Sequence, residues 1–169
     1  MGVAKTGPVD RSVSGPLFQQ HWRKLIIAAG VTALYMLSAF LGLKLAVVHG
    51  NVTAIWPPSG IALAALLLFG PRFWPAVAAG AFLVNYSTGV PLVTGIGIAA
   101  GNTLAALAGL QLVRRFIGNA APLDSVRSLL VLLGSGALLA TVVSATVGVS
   151  VLLLTGLAPG SELLPIWLT

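Results

Sequence analysis

Three polar interruptions in an otherwise apolar chain hold whatever chemistry it can do. The first is Asn51-Val52-Thr53-Ala54-Ile55-Trp56-Pro57-Pro58-Ser59-Gly60, set between two apolar runs. The second is Asn85, within Asn85-Tyr86-Ser87, and the third is Asn102, near the middle of a further apolar run. Trp56 offers an indole N–H on an apolar ring, Ser59 a hydroxyl, and the two asparagines paired donors and acceptors. Such a set can hold a small ligand by hydrogen bonds and ring contact. It has no group that would carry covalent or acid–base chemistry. With 0 cysteines there is no thiolate nucleophile, thiolate metal site or disulfide. The 3 acids all lie outside the middle of the apolar runs, and the 2 histidines, His21 and His49, fall near expected water interfaces. There is no phosphate-cradling loop, nucleophile elbow or kinase signature. We therefore expect no catalytic residue, no bound metal and no cofactor, and a protein that is not an enzyme.

The elements that position these residues follow from composition. Of 169 residues, 57% are hydrophobic and 7% charged, against about 25% charged in a soluble domain. The apolar runs are apolar on every face and too long for barrel strands, so the fold class expected is all-α, a polytopic transmembrane helical bundle. The formal net charge of +6 raises the question of nucleic acid. The basic residues are spread along the chain and flank apolar runs, however, which fits orientation in a membrane rather than a nucleic-acid footprint.

Residues 1–24 read as a cytoplasmic basic tail, loosely ordered, with Leu17, Phe18 and Trp22 near the interface. Residues 25–169 read as the membrane-embedded domain. Its spans run from about Leu25 to Val48, Ile61 to Gly70, Pro75 to Tyr86, Leu92 to Val113 and Ser128 to Thr155, and Leu163 to Thr169 opens a sixth. Lys44, near the far end of the first span, can extend its stem and place its ammonium among headgroups. Asp124 is a plausible N-cap for the fifth span. Lys and Arg gather at alternate ends: in the tail, at Arg72, and at Arg114, Arg115 and Arg127. The positive-inside rule makes those ends cytoplasmic, the N-terminus included. Five complete spans would leave the chain's end outside, so the domain reads as incomplete at Thr169.

Span arithmetic moves the first polar interruption into the membrane. A helix capped by Ser59 and ending at Gly70 is about 16 Å long, against a hydrocarbon core of about 30 Å. A start at Pro57 or Pro58, both tolerated in a first helical turn, adds only a few ångströms. Part of 51–58 must then cross membrane depth as non-helical backbone, which survives only inside protein or beside a wet cavity. Ser59 at a helix N-terminus facing that cavity would favour an anionic or carbonyl group. An interfacial tryptophan followed by a Pro-Pro turn explains the same residues without a site. The third span is short as well, which puts Asn85 at a depth like that of Trp56. Asn102 lies near the bilayer midplane, where its amide needs partners, either another helix or a ligand. Small residues repeat at four-residue spacing along Gly97, Gly101, Ala105 and Gly109, along Gly136, Ala140, Ser144 and Gly148, and along Ser38, Gly42 and Ala46. Such rows suit close helix packing, and the fourth and fifth spans are the pair expected to meet, or either of them with the first.

Together, Asn51–Ala64, Leu68-Phe69-Gly70, Trp74-Pro75-Ala76 and Ala99-Ala100-Gly101-Asn102-Thr103-Leu104 resemble, in content and in spacing, the first class of the bacterial membrane-associated sensor domains, the MASE group. The resemblance covers roughly residues 25–169. It implies a multi-span input module of the bacterial plasma (inner) membrane, normally joined to a histidine kinase or to an enzyme that makes or degrades cyclic di-GMP. It also implies more spans than this sequence holds, including a tryptophan-rich segment just past Leu164–Thr169. Two functions follow: a sensory input domain for two-component or cyclic-di-GMP signalling, or a small-solute transporter or permease component. The permease lacks an intramembrane acid for ion coupling. A plain membrane anchor is the third reading. The partners expected are the lipid bilayer, an unidentified small ligand, a cytoplasmic output domain outside this sequence and a second copy in a homodimer, with nucleic acid excluded.

Overall fold

The computed structural model describes residues 15–44, 56–118, 125–157 and 160–162, together with 164 and 167. Within these it is built from helices, with no strand among the described residues. Helix α1 spans Gly15–Lys44, α2 Pro57–Phe69, α3 Trp74–Ser87 and α4 Leu92–Ile117. A last helical stretch comprises α5 (Val126–Val131), a π-helical segment (Leu132–Leu139) and α6 (Ala140–Leu154). A 3₁₀ turn, Pro71–Phe73, joins α2 to α3. Gly70 before it has φ +93°, a left-handed conformation open to glycine, and its N–H closes α2 on the Leu66 carbonyl at 3.0 Å.

Among the described residues two helices are long and apolar enough to cross a membrane, Gln19–Lys44 within α1 and the whole of α4, each 26 residues. At about 1.5 Å per residue each rises about 39 Å. The 13 residues of α2 and 14 of α3 give only about 20 Å each. These two form a short hairpin held against the long helices: α1 packs on α3 and α2, and α4 packs on α6, α3 and α2. The core where they meet is rich in alanine, including Ala62, Ala65, Ala76, Ala81, Ala99 and Ala106, around the larger Tyr35, Leu66, Val77 and Leu110. Small side chains let helix backbones approach, which is how helices associate where lipid removes the hydrophobic drive. The outward faces are apolar instead, with Leu25, Ile26, Leu37, Leu68, Val93 and Leu130 all exposed. So much exposed aliphatic surface suits contact with acyl chains, not water.

Three expectations are corrected. The tail is not loosely ordered throughout, because α1 begins at Gly15 and carries Gln20, Arg23 and Lys24 as helix. Pro16 fits a first turn and the polar residues after it all permit helix. The N-cap of α2 is not Ser59. The helix starts at Pro57 with Trp56 in the cap position and no side-chain cap bond, while Ser59 is exposed and its backbone N–H bonds the Trp56 carbonyl at 3.1 Å. Two prolines at the first positions remove N–H groups that a cap would otherwise have to satisfy. The fifth span is capped by Ser125, whose Oγ accepts from the Ser128 N–H at 3.1 Å, rather than by Asp124. Asp124 itself lies outside the described residues, as do Asn51–Ile55 and Ala46.

One end of the bundle gathers Arg23 and Lys24 near the start of α1, Arg72 in the α2–α3 turn and Arg114 and Arg115 in the last turn of α4. The opposite end holds Trp56, Lys44 and the α3–α4 turn.

Candidate functional site

Trp56 and Pro57 form a knuckle seated on α1. A Cβ placed on Gly42 would lie 3.2 Å from Pro57 Cδ and 3.6 Å from Trp56 Cε3, so glycine gives the knuckle a close seat that a methyl group would crowd at Pro57. Pro58 is buried behind it. Two helical turns down α1, Tyr35 is 1% exposed and joined to Trp56 by a side-chain hydrogen bond. Trp has only an N–H to give, so the indole donates and the phenol oxygen accepts. The far side of the Tyr35 ring lies on Gly80 of α3, where an added Cβ would stand 3.0 Å from Tyr35 Cβ and 3.1 Å from its ring. The Thr32 hydroxyl donates to the Ala76 carbonyl at 2.9 Å and ties the same two helices one turn lower. Tyr35 is thus a buried hub between the start of α2, α1 and α3. Its signal in the sequence was a phenol in the middle of the first apolar run, far from either interface.

The short helix reaches the knuckle without extra length. From Ile27, which lines the same cleft as Phe69, to Gly42 α1 rises about 22 Å, and α2 covers about 18 Å from Phe69 to Pro57. Trp56 therefore sits level with Gly42, short of the end of α1.

The other sequence candidates fall apart from this seat. Asn85 is half-buried near the end of α3 and its Nδ2 donates to the Ala81 carbonyl of its own helix at 2.8 Å. Asn102 meets Ser144, whose Oγ donates to Asn102 Oδ1 at 2.6 Å across the α4–α6 contact. Among the described residues, no hydrogen bond links Asn85 or Asn102 to Trp56. The α4–α6 contact is intimate: an added Cβ on Gly97 would lie 2.6 Å from Val151 Cγ2, and one on Gly101 2.8 Å from Val147 Cγ1. Ala105 and Gly109 continue the buried face of α4. On the α6 side the knobs are the two valines, since a Cβ on Gly148 meets nothing within 4 Å. Gly136 and Ala140 are described only as backbone. For Asn102 and Ser144 a double-mutant cycle with alanine should return a coupling of about 0.6 kcal/mol, the usual size for an interhelical bond in a membrane. Stability in detergent micelles, followed by circular dichroism, is the measurement.

Thr94 is a further residue with no motif or spacing to mark it in the sequence. It lies in the first turn of α4, is 0% exposed, and its Oγ1 has no hydrogen-bond partner among the described residues. An orphaned buried hydroxyl costs about 1–3 kcal/mol. Thr94→Val keeps the shape and removes the hydroxyl, so it should raise stability by about 1 kcal/mol in the same assay.

The short broken hairpin, the knuckle on Gly42 and the small-residue contact of α4 with α6 are the parts of the chain that carry its distinctive motifs. A model of the MASE1 family matches residues 26–169, which include all of them. The chain belongs to the MASE1 family. MASE1 is a membrane-associated sensor domain, so the resemblance read from Asn51–Ala64, Trp74-Pro75-Ala76 and Ala99–Leu104 identified the family that matches. No curated protein and no solved structure matches the chain. Within this MASE1 chain, Trp56 and Pro57 are brought together with Gly42 and Tyr35, while Ser59 faces outward and Asn85 and Asn102 serve their own helix and α6 respectively.

Proposed function

We propose that this chain is the sensory input part of a bacterial signalling protein of the plasma membrane, itself not an enzyme, and that it biases a cytoplasmic histidine kinase or cyclic-di-GMP enzyme. On this reading α1, α2, α3, α4 and the stretch 126–154 are five crossings, and the gathering of Arg23, Lys24, Arg72 and Arg114 at one end supports a cytoplasmic side there by the positive-inside rule. Trp56 then lies within the outer leaflet, where the short α2 stops before the far face of the bilayer.

The observation that carries this reading is the seat of Trp56 and Pro57 on Gly42, above the buried Tyr35 hub. A ligand, or a change in bilayer thickness, that lifts the knuckle alters the packing of Tyr35 against Gly80. It thereby shifts the α2–α3 hairpin, whose other end is the Arg72 turn. A sensor needs such an element with two packings of similar energy. The coding sequence that surrounds residues 1–169 in the genome is the first test. A kinase or a cyclic-di-GMP enzyme in the same reading frame supports the proposal, and a permease with no signalling enzyme contradicts it.

A further inference from the structure

The basic end of the bundle contains a cleft of about 310 Å³ lined by Gln20, Arg23, Lys24 and Ile27 of α1 and by Leu68, Phe69, Arg72 and Phe73 at the α2–α3 turn. Its two walls follow from helical spacing. Positions 20, 23, 24 and 27 share one face of α1, and the chain reversal at Gly70 brings 72 and 73 of the 3₁₀ turn beside 68 and 69 at the end of α2. Each wall is polar on one side and apolar on the other. Among the described residues three cations and one amide line the cleft, and no acid does. Arg23 and Arg72 are exposed and Lys24 half-buried. Leu68 is 77% exposed, and Phe69, held against Phe73 with ring centroids 5.7 Å apart, is 42% exposed. Phe73 is buried and closes the floor.

We infer that this cleft binds the headgroup of an anionic phospholipid. Two guanidiniums and an ammonium converge on a volume suited to a phosphate diester, and guanidinium is the group that matches phosphate oxygens in paired hydrogen bonds. Gln20 supplies a neutral donor for a glycerol or ester oxygen. The exposed Leu68 and Phe69 continue from the cationic rim along α2, in the direction that the acyl chains of such a lipid run. Basic pockets between membrane helices at the cytoplasmic face are where anionic headgroups dock. A water-soluble phosphate would gain the cations but nothing from Leu68 and Phe69, which is why the lipid is the occupant that fits both halves of the cleft. The lipid bridges α1 to the α2–α3 turn and so clamps the end of the hairpin opposite Trp56.

The test is native mass spectrometry of the detergent-purified chain, titrated with phosphatidylglycerol and separately with phosphatidylcholine. The wild type should retain phosphatidylglycerol in preference to phosphatidylcholine. R23Q/R72Q should weaken phosphatidylglycerol retention by roughly 25-fold, about five-fold for each charge removed. R23K/R72K keeps the charge and should recover most of it, which separates loss of the site from loss of the fold. R114Q/R115Q removes the same charge from the same end outside the cleft and should leave retention within two-fold of wild type. The inference is overturned if R114Q/R115Q weakens retention as much as R23Q/R72Q, if phosphatidylcholine is retained equally, or if glycerol 3-phosphate displaces phosphatidylglycerol at equal concentration.

Discussion

Gly101→Leu should separate α4 from α6 and lower stability by about 3 kcal/mol. The Cβ alone would stand 2.8 Å from Val147 Cγ1 and 2.9 Å from Val147 Cβ. Valine is branched at Cβ and has one strongly preferred rotamer in a helix, so it cannot swing away. The helices must part instead, and the Asn102–Ser144 hydrogen bond one residue on is lost with them. Gly101→Ala should cost about 1 kcal/mol, because the clash is offset in part by the better helix propensity of alanine. Adding Val147→Ala to Gly101→Ala should recover that loss, a coupling that arises only if the two residues touch. Gly148→Ala, on the same contact but with open space before it, should be neutral or slightly stabilising. Equilibrium unfolding in mixed micelles ranks the four variants. Equal losses for Gly101→Ala and Gly148→Ala would contradict this packing.

Tyr35→Ala should cost about 3 kcal/mol, at the low end of the range for deleting a buried aromatic ring. The ring fills space between Gly80 and the Trp56 knuckle, and Gly80 has no side chain that could move into the hole it leaves. The loss comes mainly from contacts, since lipid removes much of the transfer term. Tyr35→Phe keeps the ring and gives up only the bond from Trp56, so it should cost no more than about 1 kcal/mol. The same unfolding assay separates the two. A phenylalanine variant as unstable as the alanine variant would mean that the hydroxyl, not the packing, holds the hub.

The sequence made some of this legible and hid the rest for physical reasons. An all-helical membrane domain was readable because long apolar runs admit little else. The shortness of the second and third spans was readable because Pro57, Pro58 and Pro71 punctuate them. The contact of α4 with α6 was expected from glycine spacing, but the glycines proved to face Val147 and Val151 rather than a second row of small residues, since side-chain direction is not a property of spacing. The helical start of α1 was hidden because Gln19 to Lys24 extend the helix past its apolar part and carry no hydrophobic period. Ser59 was misassigned because a serine before an apolar run looks like a cap, whereas two preceding prolines make a cap unnecessary. The π-helical segment around Gly134-Ser135-Gly136 had no periodic signature, though those residues hold an α-helix weakly. Tyr35 and Thr94 were missed because their importance is a matter of what surrounds them.

The central claim is that the Trp56–Pro57 seat on α1 sets the signalling state. On the proposed function, the most direct test is the output of a signalling protein that contains this domain with Gly42→Ala, read as autophosphorylation or as cyclic-di-GMP turnover according to the enzyme it drives. The added methyl would press on Pro57 Cδ at 3.2 Å while meeting the Trp56 ring at an ordinary 3.6 Å, a local crowding that shifts the knuckle without unfolding the bundle. A shift of about 1 kcal/mol between two packings changes their ratio about five-fold. We expect basal output to change by about that factor, in either direction, with Gly148→Ala indistinguishable from wild type. Output of Gly42→Ala equal to wild type, in protein that is folded and present in the membrane at normal level, would contradict the claim.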